Sequence, residues 1–432
     1  MKKLYILNLI ILCITINISA QQTPAPIQTT DFSIEGATAH IGNGQLIENS
    51  LVMFSKGKIT FVGSASEKIS RIGTIIKAEG KHIYPGFIIA NSTLGLGEID
   101  AVRATLDADE VGTFLPHVRS LIAYNTESRV IESMRPNGVL MGQITPRGGV
   151  ISGTSSIVQF DAWNWEDAAI KVDEGIHLNW PKSFTRKRAW MGEGSGMEPN
   201  KKYTENIESI KTFMLNGKNY FKGKRYPQNL PYEALEGLFN NTQNLYIHAS
   251  TVKEITDAIA FSKKIGISKL VIVHGNEAYK IADLLIENNI PVIIERPHRL
   301  PDNEDDDYNL PYKTAKLLVD KGITVAIGME GDMERMSARN LPFYAGTCAA
   351  YGIDKEQALK LITSNPAKIL GIDAIVGTLE VGKDATLFIS EGDALDMRTN
   401  KLTDAFIQGR KISLESHQTT LWKRYSKKYS SQ

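Results

Sequence analysis

In the second half of the chain, four apolar runs each stop at a side chain that can bind a metal or a proton. Leu245-Tyr246-Ile247 stops at His248, Leu270-Val271-Ile272-Val273 at His274, and Val292-Ile293-Ile294 at Glu295, while Ile323-Thr324-Val325-Ala326-Ile327 runs into Gly328-Met329-Glu330-Gly331-Asp332. Such short runs, without polar alternation, predict strands buried on both faces. Helical periodicity over 252–264, 278–288 and 313–321 fills the gaps, so strand and helix alternate as in the βαβ units of a parallel sheet. The spacing suits an α/β fold of the (β/α)8 TIM-type barrel, in which all strand C-termini open on one face and side chains distant in sequence meet there. A doubly wound open sheet has the same local pattern and stays open as an alternative.

The two ends of the chain have another texture. Short alternating segments at 37–41, 50–54 and 58–62, with Ser55-Lys56-Gly57 as a turn, recur in kind at 385–389, 405–407 and 410–413, with Glu391-Gly392-Asp393 and Gln408-Gly409 as turns. Before them, Lys2 and Lys3 lead an apolar run over 4–16, and Ser19-Ala20 precede a polar stretch. That is the pattern of an export signal over 1–20, followed by a linker over 21–31, and it predicts a periplasmic or secreted protein. No later run approaches the roughly 20 apolar residues of a membrane span, so no transmembrane anchor is expected after the leader. The basic residues Lys423, Arg424, Lys427 and Lys428 make 416–432 read as a solvated tail.

With 42% hydrophobic and 22% charged residues, the chain is globular, and collagen-like or wholly disordered classes are excluded. Losing Lys2 and Lys3 with the leader takes the 49 basic residues to 47 against 48 acidic ones, a balance that argues against nucleic acid as the partner. Only Cys348 lies outside the leader, so no internal disulfide supports the core.

His248 and His274 on adjacent strands are the candidate metal ligands. Imidazole suits Zn²⁺, and a catalytic site usually supplies three protein ligands and leaves a position for water. Glu330 and Asp332, after the last of these strands, are carboxylates able to bind a metal or a proton. Trp163, in Asp161-Ala162-Trp163-Asn164-Trp165-Glu166, and Glu295 are candidates for the substrate-binding wall of the barrel mouth. Arg147-Gly148-Gly149-Val150 lacks the Lys and spacing of a phosphate loop. A carboxylate pair for glycoside hydrolysis has no support beyond Glu295 and Glu330 themselves. The acids of 302–307 lack the glycine and spacing of a calcium loop and read as a solvated segment.

Two further stretches carry a family resemblance. Thr363-Ser364-Asn365-Pro366-Ala367-Lys368-Ile369-Leu370-Gly371 and Val376-Gly377-Thr378-Leu379-Glu380-Val381-Gly382-Lys383-Asp384-Ala385 resemble the C-terminal signature of the amidohydrolase superfamily, most like its imidazolonepropionases and related cyclic-amide hydrolases. Tyr84-Pro85-Gly86-Phe87-Ile88-Ile89-Ala90-Asn91 looks like the family's entry into its first barrel strand. The resemblance implies a barrel over 83–374 and a small β-sandwich joined from 32–82 and 375–415. It also implies hydrolysis of non-peptide C–N bonds, in cyclic or linear amides, by metal-activated water. His248 and His274 match the family's histidines after the fifth and sixth strands, and the resemblance implies that the acid after the eighth, which handles the attacking water's proton, is Glu330 or Asp332, with Glu330 preferred on position.

One departure divides the functional reading. Where the family usually has His-x-His, this chain has Asn91-Ser92-Thr93, so the first metal positions, Asn91 and Thr93, are lost as ligands. A deacetylase branch with the same loss keeps one metal on the two later histidines and a carboxylate. Its precedent places that carboxylate on the third or fourth strand, sought here around 139–159, yet no Glu, Asp, His or Lys occurs from Val139 to Phe160. Two expectations therefore stand side by side. One is an exported hydrolase with a single Zn²⁺ or other divalent ion and a small amide-type substrate; the other is a catalytically silent barrel that binds a ligand or partners an active homologue. Homo-oligomer or paired homologue is left open.

Overall fold

The computed structural model describes residues 23–187, 196–331 and 333–430. The leader over 1–20 and Asp332 lie outside the described residues. Eight strands form the central sheet, in chain order Phe87–Ser92, Val139–Ile144, Ile151–Gln159, Ala169–Asn179, Asn244–Ala249, Leu270–His274, Val292–Ile294 and Val325–Ile327. A parallel bridge between Ala90 and Gly328 brings the last strand back to the first and rounds the sheet into a barrel. The barrel expected from the sequence departs from a strict (β/α)8 repeat at one place: the third strand runs antiparallel to both neighbours. Short connections allow this, because hairpins, not helical crossovers, join it to the second and fourth strands.

Each apolar run forms its strand as periodicity requires, and every residue from Leu245 to Ala249 is buried. Alternation turns Tyr246 and His248 to one side and Leu245 and Ile247 to the other. Tyr246 stacks on His177 of the fourth strand with ring centroids 4.6 Å apart. A Cβ on Gly175 would meet Tyr246 Cε2 at 2.4 Å, so the fourth strand needs glycine there to admit the ring. The following helix, Val252–Ile265, starts on a capping box between Thr251 and Glu254 and stops at Gly266 in the left-handed region, φ 82°. Its buried face is Ile255, Ala258, Ile259 and Ser262, the spacing of one helical stripe.

The ends of the chain build two further sheets. One pairs Phe32–Glu35, Ser50–Ser55, Lys58–Ser64 and Thr74–Lys77; the other joins Thr38–His40, Leu46–Ile47 and His82–Pro85 to Leu387–Ser390, Leu402–Ile407 and Arg410–Lys411. Phe32 and Phe54 from the first meet Phe406 from the second at 5.1 and 5.0 Å between ring centroids. Each such pair contributes about 0.5–1.5 kcal/mol beyond its buried area. The segment read as a solvated tail holds a helix, His417–Ser430, with no buried residue. Its apolar residues are spaced by helical turns and never adjacent in a long run, which is why a search for runs passes over them.

Candidate metal centre

Strand register carries the candidate side chains to one end of the barrel. His248 lies opposite Asn179 on the fourth strand, and His274 lies opposite Ala249 on the fifth and Ile294 on the seventh. His248, His274 and Glu330 each offer one ligand atom, and these atoms lie within 4.8 Å of one another. Two imidazole nitrogens and one carboxylate oxygen are the donor set of a catalytic zinc site with three protein ligands. Glu330 Oε2 is the hub, 2.7 Å from His274 Nε2 and 3.3 Å from His248 Nδ1, and it accepts a hydrogen bond from Asn91 Nδ2 at 2.8 Å. His274 and Asn91 both have left-handed backbones, φ 77° and 50°. Conformations of this kind cost about 1–3 kcal/mol each, and persist where the surroundings hold them.

Hydrogen bonding fixes where the protons sit beneath this hub. The Asn91 N–H donates to Gln143 Oε1 at 2.9 Å, which turns the Gln143 amide nitrogen toward Glu174 and Ser155. The Ser155 hydroxyl donates to Glu174 Oε1 at 2.8 Å and therefore accepts from His177 Nε2 at 2.9 Å. His177 Nδ1 is then an acceptor, so the His248 nitrogen 3.0 Å away, Nε2, carries the hydrogen. His248 Nδ1 is left with a bare lone pair. It is buried, has no aligned hydrogen-bond partner, and faces the Glu330 carboxylate. Two electron pairs facing one another in a buried site repel, and a cation between them converts that repulsion into two bonds.

The charges follow from the same surroundings. Burial disfavours ionisation of Glu330 but is outweighed by the neighbouring His248 ring, the Arg147 guanidinium and the hydrogen bond from His274, which hold the carboxyl well below the usual range. Burial, over the opposing effect of Glu330, lowers His248, and burial reinforced by His248 lowers His177 further, so both rings are neutral, the form that binds metal. Burial also raises Glu174, against hydrogen bonds from Ser155, Tyr246 and Gln143. Arg147 is held as a cation: Glu334 and Glu330 overcome the effect of burial and push its pKa up.

The remaining sequence candidates fall in different places. Glu295 is at the rim, with Oε1 3.7 Å from His274 Nδ1 and Oε2 3.0 Å from Arg299 Nε. Asn91 and Thr93 are in the mouth but fully engaged. Arg147 donates to Asn91 Oδ1 and to its backbone oxygen, both at 3.0 Å, and the Thr93 N–H and hydroxyl both donate to Glu334. Trp163 is not in the mouth. It follows Gln159, and because the third strand is reversed this end lies beside Ala169, at the start of the fourth strand and away from His248. There Trp163 is 65% exposed and lines an open groove of about 810 Å³ with Ile27, Lys56, Asp161 and Arg410. The third ligand atom does not come from 139–159 either. Glu330, expected only as a proton acceptor, offers the candidate third ligand atom. Sequence reasoning missed Gln143, Ser155, Glu174, His177, Arg147 and Glu334; the alternation of Gly175-Ile176-His177-Leu178-Asn179 is the signal that points to His177.

Two imidazoles and a carboxylate converging at the mouth of a barrel form a candidate divalent-metal site, and comparison with known proteins narrows the class of protein. The model of the amidohydrolase family matches residues 222–413. An imidazolonepropionase of Symbiobacterium thermophilum is 37% identical over 82 residues, 19% of this chain and 19% of that protein. Amidohydrolase tasK of Hapsidospora irregularis is 20% identical over 414 residues, 86% of this chain and 40% of that protein. The matches thus span well under half the length of these two relatives. The crystal structure of an amidohydrolase from Thermotoga maritima MSB8 superposes with a TM-score of 0.75 at 26% identity, covering 88% of this chain and 99% of that one. Over residues 222–413 the chain matches the amidohydrolase family, and across 88% of its length it shares the fold of the Thermotoga maritima amidohydrolase.

Proposed function

We propose that the protein is an exported hydrolase of C–N bonds in small cyclic or linear amides, working with one divalent cation, zinc by donor chemistry, held by His248 Nδ1, His274 Nε2 and Glu330. The observation that carries this reading is the buried, hydrogen-free His248 Nδ1 facing Glu330. A cation bound there supplies Lewis acidity, which makes water a nucleophile near neutral pH and polarises a substrate carbonyl. The chain's own residues do the rest. Asn91 and Arg147 hold Glu330 ionised and in place. Glu330 Oε1, which has no hydrogen bond among the described residues, takes the proton of the attacking water and passes it to the leaving nitrogen as the C–N bond breaks. Glu295 faces His274 Nδ1 and orients that ring. Lys2, Lys3 and the apolar run after them support export.

Metal analysis of the purified protein, paired with hydrolysis of a panel of cyclic and linear amides, tests the reading. The expected result is close to one zinc per chain, lost together with hydrolysis in His248→Ala and in His274→Ala. A protein without bound metal, whose melting does not respond to chelators, sinks the hydrolase. That result leaves the silent barrel, a ligand-binding module or partner of an active homologue, which the engagement of Asn91 and Thr93 favours. Export is tested separately by the intact mass of the mature protein, which should lack the first twenty or so residues.

A further inference from the structure

The helix His417–Ser430 has a surface that the proposed chemistry does not use. None of its 14 residues is buried. Leu421, Trp422, Tyr425 and Tyr429 fall within about 100° of arc on a helical wheel, and they line one shared strip with exposures of 36, 69, 55 and 64%. Lys423, Arg424, Lys427 and Lys428 fill the adjoining arc, and the helix contains neither Asp nor Glu. The Arg424 guanidinium lies 5.7 Å from the Tyr425 ring centroid and Lys428 Nζ lies 5.4 Å from that of Tyr429, so cations border the aromatic strip. The helix is tethered by the His417 N–H, which donates to Glu132 Oε2 at 3.2 Å, and by an ion pair between Lys423 and Glu415.

Solvation alone gives no reason to gather four large apolar side chains on one stripe. Three of them carry a polar edge, which suits a boundary between oil and water better than a dry protein core. Tryptophan and tyrosine beside lysine and arginine is the chemistry of a helix lying in the headgroup layer of a membrane. At 14 residues the helix is about 21 Å long, and no described helix is long and apolar enough to cross a bilayer. We infer that this helix docks the protein on an anionic lipid surface, with Leu421, Trp422, Tyr425 and Tyr429 among the headgroups and the basic arc against their phosphates.

Vesicle pelleting of the chain from residue 21 onward, so that the apolar run over 4–16 does not interfere, tests this. The probes are vesicles of phosphatidylcholine alone and of phosphatidylcholine with about 30% phosphatidylglycerol. Binding is expected only to the second, weakening about fivefold for each basic side chain removed and largely lost in high salt. The triple variant Trp422→Ser, Tyr425→Ser, Tyr429→Ser and the pair Arg424→Glu, Lys428→Glu should each reduce the bound fraction more than about tenfold. Neither should change melting, because no residue of the helix is buried. Absence of binding to the anionic vesicles overturns the inference, as does binding that both variants retain. A dimer in sedimentation velocity that the aromatic triple variant converts to monomer also overturns it, by showing that the strip packs against a second copy.

Discussion

The two halves of the barrel mouth have solved the same electrostatic problem in different ways. On the side of the first strand, Asn91, Thr93, Arg147 and Glu334 satisfy one another: the guanidinium binds Asn91, the Met329 carbonyl and Glu334, and Thr93 closes onto the same carboxylate. On the side of the fifth, sixth and eighth strands, a carboxylate and two imidazoles converge with one lone pair unspent. The first half carries its positive charge as a fixed side chain, and the second is arranged to receive one. Asn91 and Thr93, where a metal motif was expected, are therefore not simply vacant positions. A half-buried cation belonging to the chain stands next to Asn91 and Thr93, and it helps keep Glu330 ionised on the other half.

Removing the fixed charge should break this comparison most severely. Arg147→Met strips Asn91, Met329 and Glu334 of their donor and leaves a buried carboxylate unpaired, which costs about 3–5 kcal/mol. Denaturant midpoints at constant slope measure the loss. An unmoved midpoint would mean that the first half is not held together by this ion pair.

Next in size is an effect on the second half alone. His177→Phe keeps the stacking on Tyr246 but removes the acceptor that holds the hydrogen on His248 Nε2. Partners that orient a metal-binding histidine are typically worth 10–100-fold in metal affinity, so zinc competition with a chromophoric chelator should report a loss in that range. Unchanged affinity would show that the column of His177, Ser155 and Glu174 does not set the tautomer of His248.

A smaller, pH-dependent effect separates the column's base from its top. Burial raises the Glu174 carboxyl above its ordinary 4.5. The unfolded chain ionises this group above pH 4.5, while the fold keeps its proton further up the scale. Its contribution to stability is thus complete below 4.5 and is lost as pH rises toward the raised value, at about 1.4 kcal/mol per pH unit. Glu174→Gln removes that dependence, so the variant should gain on the parent in melting temperature as pH rises from 4.5. A difference that stays constant with pH would place an ionised carboxylate in the barrel.

The same contrast explains what was legible in the sequence. His248, His274 and Glu295 announced themselves because each ends an apolar run, and Glu330 because it follows one within three residues. Gln143 and Ser155 sit in strands without a charged residue, and they act only by passing hydrogen bonds from one neighbour to the next. His177 was hidden by the polar start of its strand, Lys171, Asp173 and Glu174, which spoils an apolar pattern. Trp163 was misplaced for one topological reason: a reversed third strand puts the residues after it at the wrong end of the barrel, and strand direction is not written in periodicity.

The smallest expected effect is none, and it sharpens the comparison furthest. Asn91→His with Thr93→His restores the side chains of the missing metal motif, and if absent ligands were the whole of the loss, zinc content should rise toward two per chain. The geometry predicts otherwise. Arg147 lies 3.0 Å from both oxygens of Asn91 and is itself held by Glu334. A second divalent ion beside this half-buried guanidinium would meet like charge in a poorly screened site. The double variant should therefore hold no more zinc than the parent, and elemental analysis of the two proteins decides it. Two zinc ions in the variant would show that the guanidinium yields, and that the first half of the mouth is a vacancy rather than a replacement.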